Sequence, residues 1–241
     1  MLTWKEVESY LKRSDRIIFP IGSTEQHGTK AILGTDHLVA EKISMEVGKR
    51  TQTLVAPTLV VGMSEHHLSF PGTMSFSKEV YYLVIQNLLT RFYRHGFKHI
   101  LIINGHGGNQ RTVNVVRHQL KNELPDLSIA FVNWWDLPEA EKYLEKHFGK
   151  WEGMHATAGE TSIMMHVYPK MISHKKVPKG KCPPKKEYEK ANVPDDYRRL
   201  FPDGVWYADP NLANRKHGKN LTDLCIKSLI PKLKKWDFEN F

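Results

Sequence analysis

Short apolar runs alternate along the chain with longer segments of helical period. The apolar runs are rich in β-branched residues and predict four buried strands, at 16–19, 54–61, 99–104 and 128–135. Apolar residues recur every three or four positions in three segments that predict helices, 36–49, 77–95 and 109–123. Strands separated by helices of this length favour a mainly parallel sheet covered on both faces. The pattern therefore predicts a three-layer α/β/α fold.

Composition favours a single folded domain over the whole chain, 1–241. The 241 residues are 40% hydrophobic, which is enough for one substantial core. No apolar run approaches the roughly 18 residues that span a bilayer, and the first residues lack the pattern of a secretion signal. A cytoplasmic location is therefore expected. Cys182 and Cys225 lie far apart without a CxxC pairing, so neither a disulfide framework nor a thiolate zinc site is expected.

The positive charge is concentrated in one segment. The formal net charge is +9, and residues 170–199 hold ten Lys or Arg against four Asp or Glu, a net of +6. Pro178, Pro183, Pro184 and Pro194 interrupt this segment and indicate an irregular, solvated excursion or a subunit contact. A funnel for an anionic substrate and a nucleic-acid contact remain open, and the second is the least favoured because the lysines lie among prolines.

Acidic residues and histidines follow the first predicted strand. Glu25 and His27 are two apart in a glycine-containing loop, and Asp36 follows Gly34-Thr35 at the start of a helix. Two carboxylates and an imidazole suit Zn²⁺, Mn²⁺ or Fe²⁺, and an aspartate between the other two is able to bridge two ions. The alternatives are an exposed polar turn at Glu25 and His27 and a helix N-cap at Asp36.

The third predicted strand runs directly into Asn104-Gly-His106-Gly-Gly-Asn109. Glycines around one histidine permit a sharp turn and a close approach, and His106 comes at the end of the strand. A phosphate cradle is the rival interpretation of a glycine-rich turn between strand and helix, and a simple turn is another. Neither GxxxxGK[ST] nor GxGxxG is present, so a metal ligand is the favoured role of His106.

A third motif lies between Trp151 and Ser162. Glu160 stands near a predicted helix start, where it is either a capping residue or a further metal ligand. His155 is either an ordinary loop histidine or a group that shuttles protons or polarises the substrate. The residues alone do not favour one interpretation over the other.

Together these motifs resemble the creatininase family of metal-dependent amidohydrolases. The resemblance runs in order through Glu25-Gln-His27-Gly, Gly34-Thr-Asp36, Phe70-Pro-Gly-Thr-Met-Ser75 with His67 before it, the turn at His106, and finally His155 and Glu160. It covers roughly residues 15–170 and implies a three-layer α/β fold. It also implies one or two divalent ions and hydrolysis of small amide-like or cyclic substrates.

The resemblance also implies roles for individual residues. Glu25, Asp36 and His106 would hold one ion, and His27 with the bridging Asp36 would hold a second. The creatininase pattern has a glutamate ligand two residues after the histidine, where this chain has Gly108, so Glu160 is expected to supply the missing ligand and to take part in catalysis with His155. The residues expected to bind substrate are His67, Ser75, Gly107 and Trp151.

The expected activity is metal-dependent hydrolysis of a cyclic amide or formamide by an activated water. The alternative is hydrolysis of a cyclic ketone or lactone, as in the ring opening of 3-dehydro-scyllo-inosose, and a remote alternative is a non-catalytic nucleic-acid-binding protein. The resemblance further implies two ions of Zn²⁺, Mn²⁺ or Fe²⁺ per subunit and a homo-oligomer, with a hexamer as the expected size. No membrane partner is expected.

Overall fold

The computed structural model describes residues 2–182, 187 and 189–238. Its centre is a four-stranded parallel sheet with strand order β2-β1-β3-β4. The strands are β1 (Arg16–Ile21), β2 (Leu54–Val55), β3 (His99–Asn104) and β4 (Ser128–Asn133). In the central strands almost every residue is buried, as a sheet covered on both faces requires.

Helices cover both faces of this sheet and complete three layers. One layer packs on Ile18, Leu101 and Val132 and contains α2 (Thr35–Thr51), α5 (Pro138–His147), α6 (Ala158–Val167) and α8 (Arg215–Lys235). The other packs on Phe19 and Ile102 and contains α1 (Trp4–Leu11), α3 (Lys78–Arg94) and α4 (Gln110–Glu123). The predicted three-layer α/β/α fold is confirmed. The single-domain organisation stays a prediction.

The second strand is shorter than the sequence predicted. A continuous strand over 54–61 was expected, but β2 ends at Val55, and beyond it only an isolated bridge joins Leu59 to Ile21. Pro57 is the physical reason, because proline has no N–H to donate and interrupts the ladder. The chain nevertheless stays beside β1, since the amide of Leu59 donates to the carbonyl of Pro20 at 3.0 Å.

The basic segment 170–199 is less irregular than the sequence predicted. Pro183 and Pro184 lie outside the described residues. Pro194 opens a helix, α7 (Pro194–Leu200), because proline is well suited to the first helical position. Tyr197 of α7 is fully buried, and its ring lies 4.5 Å from that of His67. The end of the segment therefore packs against His67, which is predicted to bind substrate, and is not a solvated excursion.

Within residues 2–182, 187 and 189–238, no helix combines the length and the apolar character that crossing a membrane requires.

Candidate metal centre

The site is built where β1 and β3 end and α2 begins. A Cβ atom on Gly22 would lie 2.4 Å from the Cα of His37, and one on Gly105 would lie 2.1 Å from the carbonyl oxygen of Asp36. Only glycine permits such contacts, so the first turn of α2 rests directly on the main chain after each strand. Asp36 is thereby held beside the loops that carry Glu25 and His106.

Asp36 connects the two histidines of the cluster. Its Oδ1 lies 2.9 Å from Nε2 of His27, and its Oδ2 lies 3.0 Å from Nδ1 of His106. Glu25 adds a second carboxylate, whose Oε2 lies 3.1 Å from the same Nδ1. All four residues are at most 6% exposed, which contradicts the alternative of an exposed polar turn. Helix α2 begins at Thr35, so Asp36 is not an N-cap either.

Backbone carbonyls fix the orientation of both imidazole rings. Nδ1 of His27 donates to the carbonyl of Glu25 at 3.1 Å, and Nε2 of His106 donates to the carbonyl of Met63 at 2.9 Å. The opposite nitrogen of each ring faces a carboxylate, so it either carries a proton that it donates to that carboxylate or, once deprotonated, offers a lone pair to a cation. Metal-binding histidines are commonly oriented in this way by a second partner.

Facing acceptors at 3 Å repel each other unless a proton or a cation lies between them. Nε2 of His27 and Oδ2 of Asp36 are both buried and make no hydrogen bond within the described part of the chain. The donor atoms are those that a borderline divalent cation prefers. Three groups bring their ligand atoms within 4.8 Å of one another: Glu25, Asp36 and His106; His27, Asp36 and Glu160; and Glu25, His27 and His155. The first two match the sets that the resemblance implied.

Burial and mutual charge shift the pKa values of these groups in opposite directions. Burial disfavours the charged form of His27, but Asp36 and Glu160 outweigh it and raise its pKa to about 10. Burial likewise opposes ionisation of Glu25, yet His106 and His67 keep its pKa well below the ordinary value. The dominant effect on Glu160 is burial, which raises its pKa to about 8. Protons on the imidazoles thus balance the carboxylates, and a bound divalent cation would take the place of those protons.

His155 lies against the other face of Glu25. Its Nε2 donates to the carbonyl of Gln26 at 2.6 Å, and its Nδ1 lies 3.4 Å from Oε1 of Glu25. Burial, followed by the neighbouring His27, lowers the pKa of His155 to about 3, so the ring is neutral at ordinary pH. His155 therefore belongs to the cluster and is not an isolated loop histidine.

Glu160 both caps α6 and faces the cluster. Its Oε1 accepts the N–H of Thr157 at 2.5 Å, and its own N–H donates to Oγ1 of Thr157 at 3.2 Å, which is a capping box. The same Oε1 lies 3.7 Å from Nε2 of His27. The capping role and the metal-ligand role of Glu160 are therefore compatible, because the same oxygen accepts the N–H of Thr157 and lies near His27.

Gly108 stands where the creatininase pattern has a glutamate. A Cβ atom there would lie 2.3 Å from the carbonyl oxygen of Met63 and 2.5 Å from Nε2 of His106. Any side chain would disrupt the bond that orients His106. The local backbone therefore excludes a side-chain ligand at position 108. A site with as many ligands as the creatininase pattern needs a carboxylate from another part of the chain.

A protein-family model described as creatininase, creatinine amidohydrolase, matches residues 1–233. The chain belongs to the creatininase family. It is therefore a hydrolase, and the candidate metal ligands agree with a metal-dependent amidohydrolase.

Curated relatives in the creatininase family carry different activities. The chain is 24% identical to the creatinine amidohydrolase of Pseudomonas putida over 95% of its own length and 92% of that protein. It is 27% identical to a mycofactocin precursor peptide peptidase of Mycobacterium ulcerans, over 91% and 85%. It is also 27% identical to the 3-dehydro-scyllo-inosose hydrolase of Thermotoga maritima, over 71% and 56%.

Solved creatininase structures share the fold. A crystal structure of creatinine amidohydrolase superposes with a TM-score of 0.84 at 24% identity and covers 100% of this chain and 97% of that one. A mutant creatininase described as the Zn-Zn type gives a TM-score of 0.83 at 23% identity, over 99% and 96%.

The residues predicted to bind substrate in this creatininase-family chain differ in what they contact. The ring of His67 lies 4.2 Å from that of His155, and its Nε2 is 3.5 Å from Oε1 of Glu25. The hydroxyl of Ser75 accepts from the amide of Ser64 and donates to the carbonyl of Phe76, so it supports the loop.

The other two predicted substrate residues lie further from these contacts. Gly107 is exposed, and a Cβ atom there would meet nothing within 4 Å. The ring centre of Trp151 lies 6.2 Å from that of Tyr207 and 4.6 Å from the ammonium of Lys179. Trp151 therefore packs beside Lys179 of the basic segment. Substrate binding by these residues stays a prediction.

Sequence reasoning missed several residues that support the cluster. The hydroxyl of Ser64 donates to the carboxylate of Glu25. The amide of Gln26 donates to Nδ1 of His67 at 3.0 Å, and its orientation is fixed by the carbonyl of Gly204 at 2.9 Å. The position of Gln26 between two predicted ligands was a usable signal. Ser64 had none, because its partner lies 39 positions away in the sequence.

Proposed function

We propose that the chain is a divalent-metal-dependent hydrolase of a small amide-type substrate, either a cyclic amide or a formamide. The observation that carries this proposal is the arrangement around Asp36. Each of its oxygens faces an imidazole nitrogen, and the other nitrogen of each ring is held by a backbone carbonyl. This arrangement supports a carboxylate that would bridge two metal positions.

The residues present fit such a pair of ions. Glu25, Asp36 and His106 would hold one, and His27, Asp36 and Glu160 would hold the other. Zn²⁺, Mn²⁺ and Fe²⁺ all suit this mixture of carboxylate and imidazole donors. When bound, the ions supply a water that is acidic near neutral pH and an electrophile for the substrate carbonyl.

His155 is the residue best placed to move the proton. Hydrolysis forms a bond from the water oxygen to the carbonyl carbon, breaks the bond from carbon to nitrogen, and moves a proton from the water to the leaving nitrogen. His155 is neutral and presents Nδ1 to the cluster, because Nε2 is held by Gln26. Nδ1 would accept the proton that the water loses and then deliver it to the leaving nitrogen. Glu160 would share this role at the edge of the site.

His67 would position Glu25. The amide of Gln26 donates to Nδ1 of His67, so the proton of the ring lies on Nε2, which faces Oε1 of Glu25 at 3.5 Å. The hydroxyl of Ser64 donates to the other oxygen of the same carboxylate. Glu25 is thus held from two directions and loses little freedom when it binds a cation.

A small substrate is supported by the size of the nearest cavity. A cavity of about 610 Å³ borders His27 and is bounded by Leu33, Phe70 and Asp203. This volume suits a small organic molecule. The second candidate is hydrolysis of a cyclic ketone or lactone, which is favoured by the similarity to the 3-dehydro-scyllo-inosose hydrolase.

Metal content tests the site directly. We expect Asp36→Ala to lose both ions when the purified protein is analysed by mass spectrometry, because Asp36 belongs to both groups. Asp223→Asn removes a carboxylate from an exposed ion pair with Lys219 and serves as the matched control. A fully metalated and fully active Asp36→Ala protein would refute the scheme. The metal readout does not depend on knowing the substrate.

A hydrolysis screen tests the substrate class. The metal-loaded protein is assayed with formamides, cyclic amides, lactones and cyclic diketones. Turnover of the first two supports the amide proposal, whereas turnover confined to the last two supports the alternative. A non-catalytic nucleic-acid-binding protein would instead give no turnover and tight, salt-dependent binding to DNA or RNA. The homo-oligomer, the hexamer and the cytoplasmic location stay predictions.

A further inference from the structure

A second cavity lies at the opposite end of the sheet from the metal centre. It has a volume of about 470 Å³ and lies between α4, the amino end of the edge strand β4, and the chain that follows α8. Ser128 at its floor is the first residue of β4, whereas the metal cluster follows the last residues of β1 and β3. A six-residue strand is about 20 Å long, so the two places are well separated.

Arg117 of α4 is a partly buried cation in this cavity without an acidic partner. Its Nε donates to the carbonyl of Ile129 at 3.2 Å, and one terminal nitrogen donates to Asn114 at 2.9 Å. The guanidinium also lies 5.8 Å from the ring centre of Phe131. Burial lowers the pKa of Arg117, and no carboxylate within the described part of the chain balances its charge. A guanidinium has five N–H donors, so several remain for an anion.

Other positive and polar groups share the same face of α4. Asn114, Arg117, His118 and Lys121 follow a helical spacing of three and four, and all line the cavity. His118 and Lys121 are exposed, and neither has an ion-pair partner within the described residues. None of the described residues that line the cavity is acidic. The cavity therefore presents two cationic groups, Arg117 and Lys121, together with an imidazole and an amide.

The opposite wall is aromatic and apolar. Trp236 and Phe238 line it, together with Leu127 and Ile129. The indole N–H of Trp236 donates to the hydroxyl of Ser128 at 2.8 Å, which fixes the orientation of the ring. A flat apolar body would pack on these side chains while its anionic end reached Arg117.

We propose that this cavity binds an aromatic phosphate monoester of the nucleoside monophosphate type. A phosphate carries about 1.5 to 2 negative charges at pH 7, which matches the two positive charges of Arg117 and Lys121 better than the single charge of a carboxylate does. The base or another ring of the ligand occupies the wall formed by Trp236 and Phe238. This site is independent of the hydrolase activity proposed above and uses none of its residues.

Calorimetric titration of the full-length, metal-loaded protein tests the site with AMP, adenosine and inorganic phosphate as probes. We expect AMP to bind about tenfold or more tightly than adenosine or inorganic phosphate alone, because AMP contacts both the cationic face of α4 and the aromatic wall. Arg117→Gln should weaken AMP binding roughly tenfold or more, and Lys121→Gln by a smaller factor. Arg94→Gln, which removes the same charge from the exposed end of α3, should leave the affinity unchanged.

Three results would overturn the proposal. They are absence of AMP binding at millimolar concentration, equal affinity for AMP and inorganic phosphate, and unchanged AMP affinity in the variants of α4. If Arg117→Gln does not fold, the double variant His118→Gln with Lys121→Gln decides, because both side chains are exposed and do not support the core. An unchanged affinity in that double variant would assign the AMP to another place, such as the metal centre.

Discussion

Replacing Gly218 with alanine should separate two helices and disturb the metal centre at once. Gly218 lies in the first turns of α8, where this helix crosses α6, and a Cβ atom there would lie 1.8 Å from the carbonyl oxygen of Ser162. That oxygen belongs to the backbone of α6 and cannot rotate away. The substitution therefore forces one helix to move.

The size of the effect follows from that contact. A carbon and a carbonyl oxygen normally approach to about 3.3 Å, so the helices must separate by roughly 1.5 Å. Overpacking of this kind costs about 1–3 kcal/mol, and the better helix propensity of alanine returns about 0.5–1 kcal/mol. Because a backbone carbonyl cannot relax by rotation, the upper half of the overpacking range, about 2–3 kcal/mol, applies, and we expect a net loss of about 1–2.5 kcal/mol. Glu160 precedes Ser162 by two residues in α6, so its carboxylate should also move away from His27.

Urea unfolding measures the first effect and metal content the second. The urea concentration at the unfolding midpoint should fall while the denaturant slope m stays unchanged, and the protein should retain less metal than the wild type. Lys219→Ala is the matched control. Lys219 follows Gly218 in α8 and forms only an exposed ion pair, so its replacement should change stability by less than about 0.5 kcal/mol. A Gly218→Ala protein as stable as the wild type would refute the reasoning, because helix propensity alone predicts a gain.

Three further predictions concern the loop before α6 and its first turn. Burial raises the pKa of Glu152 from 4.5 to about 7, so the stability that its protonated form contributes is present below pH 4.5 and is lost as the pH rises through about 7. Glu152→Gln should therefore gain up to about 3 kcal/mol of unfolding free energy over the wild type between pH 5 and pH 8, as urea unfolding can measure. An equal difference between the two proteins at both pH values would contradict this. His155→Ala should lower kcat about 10²- to 10⁴-fold while metal content is retained, and loss of metal would instead make His155 a ligand. Thr157→Ala should lose about 1 kcal/mol with the capping box, whereas Thr157→Ser should retain it, as thermal unfolding can measure.

The strands and helices were largely predictable, because the apolar period records which faces are buried. β1, β3 and β4 lie where β-branched runs predicted them, and the residues expected to bind metal follow β1 and β3. The error at β2 came from treating an apolar run as a continuous ladder, although Pro57 cannot donate a hydrogen bond. Local pattern thus predicted the elements better than their lengths.

Contacts between distant segments were not predictable from the sequence. Composition made 170–199 look solvated, yet Tyr197 packs on His67 from 130 positions away. The charge of the segment is carried by its lysines and arginines, whereas its contact with His67 is made by one buried aromatic ring that leaves no periodic signal. The double role of Glu160 was also hidden, because a capping box and a metal ligand use the same residue type at the same position.

The contacts at Gly22 and Gly105 have a consequence for how enzymes of this shape can diversify. Because the first turn of α2 rests on main chain and not on side chains, side-chain substitutions elsewhere in the core leave these contacts of Asp36 in place. Residues that line the neighbouring cavity, such as Phe70 and Asp203, belong to other parts of the chain. Mutations there can reshape what enters the site without altering the centre that would carry out the chemistry, so new substrates can be acquired without rebuilding the catalyst.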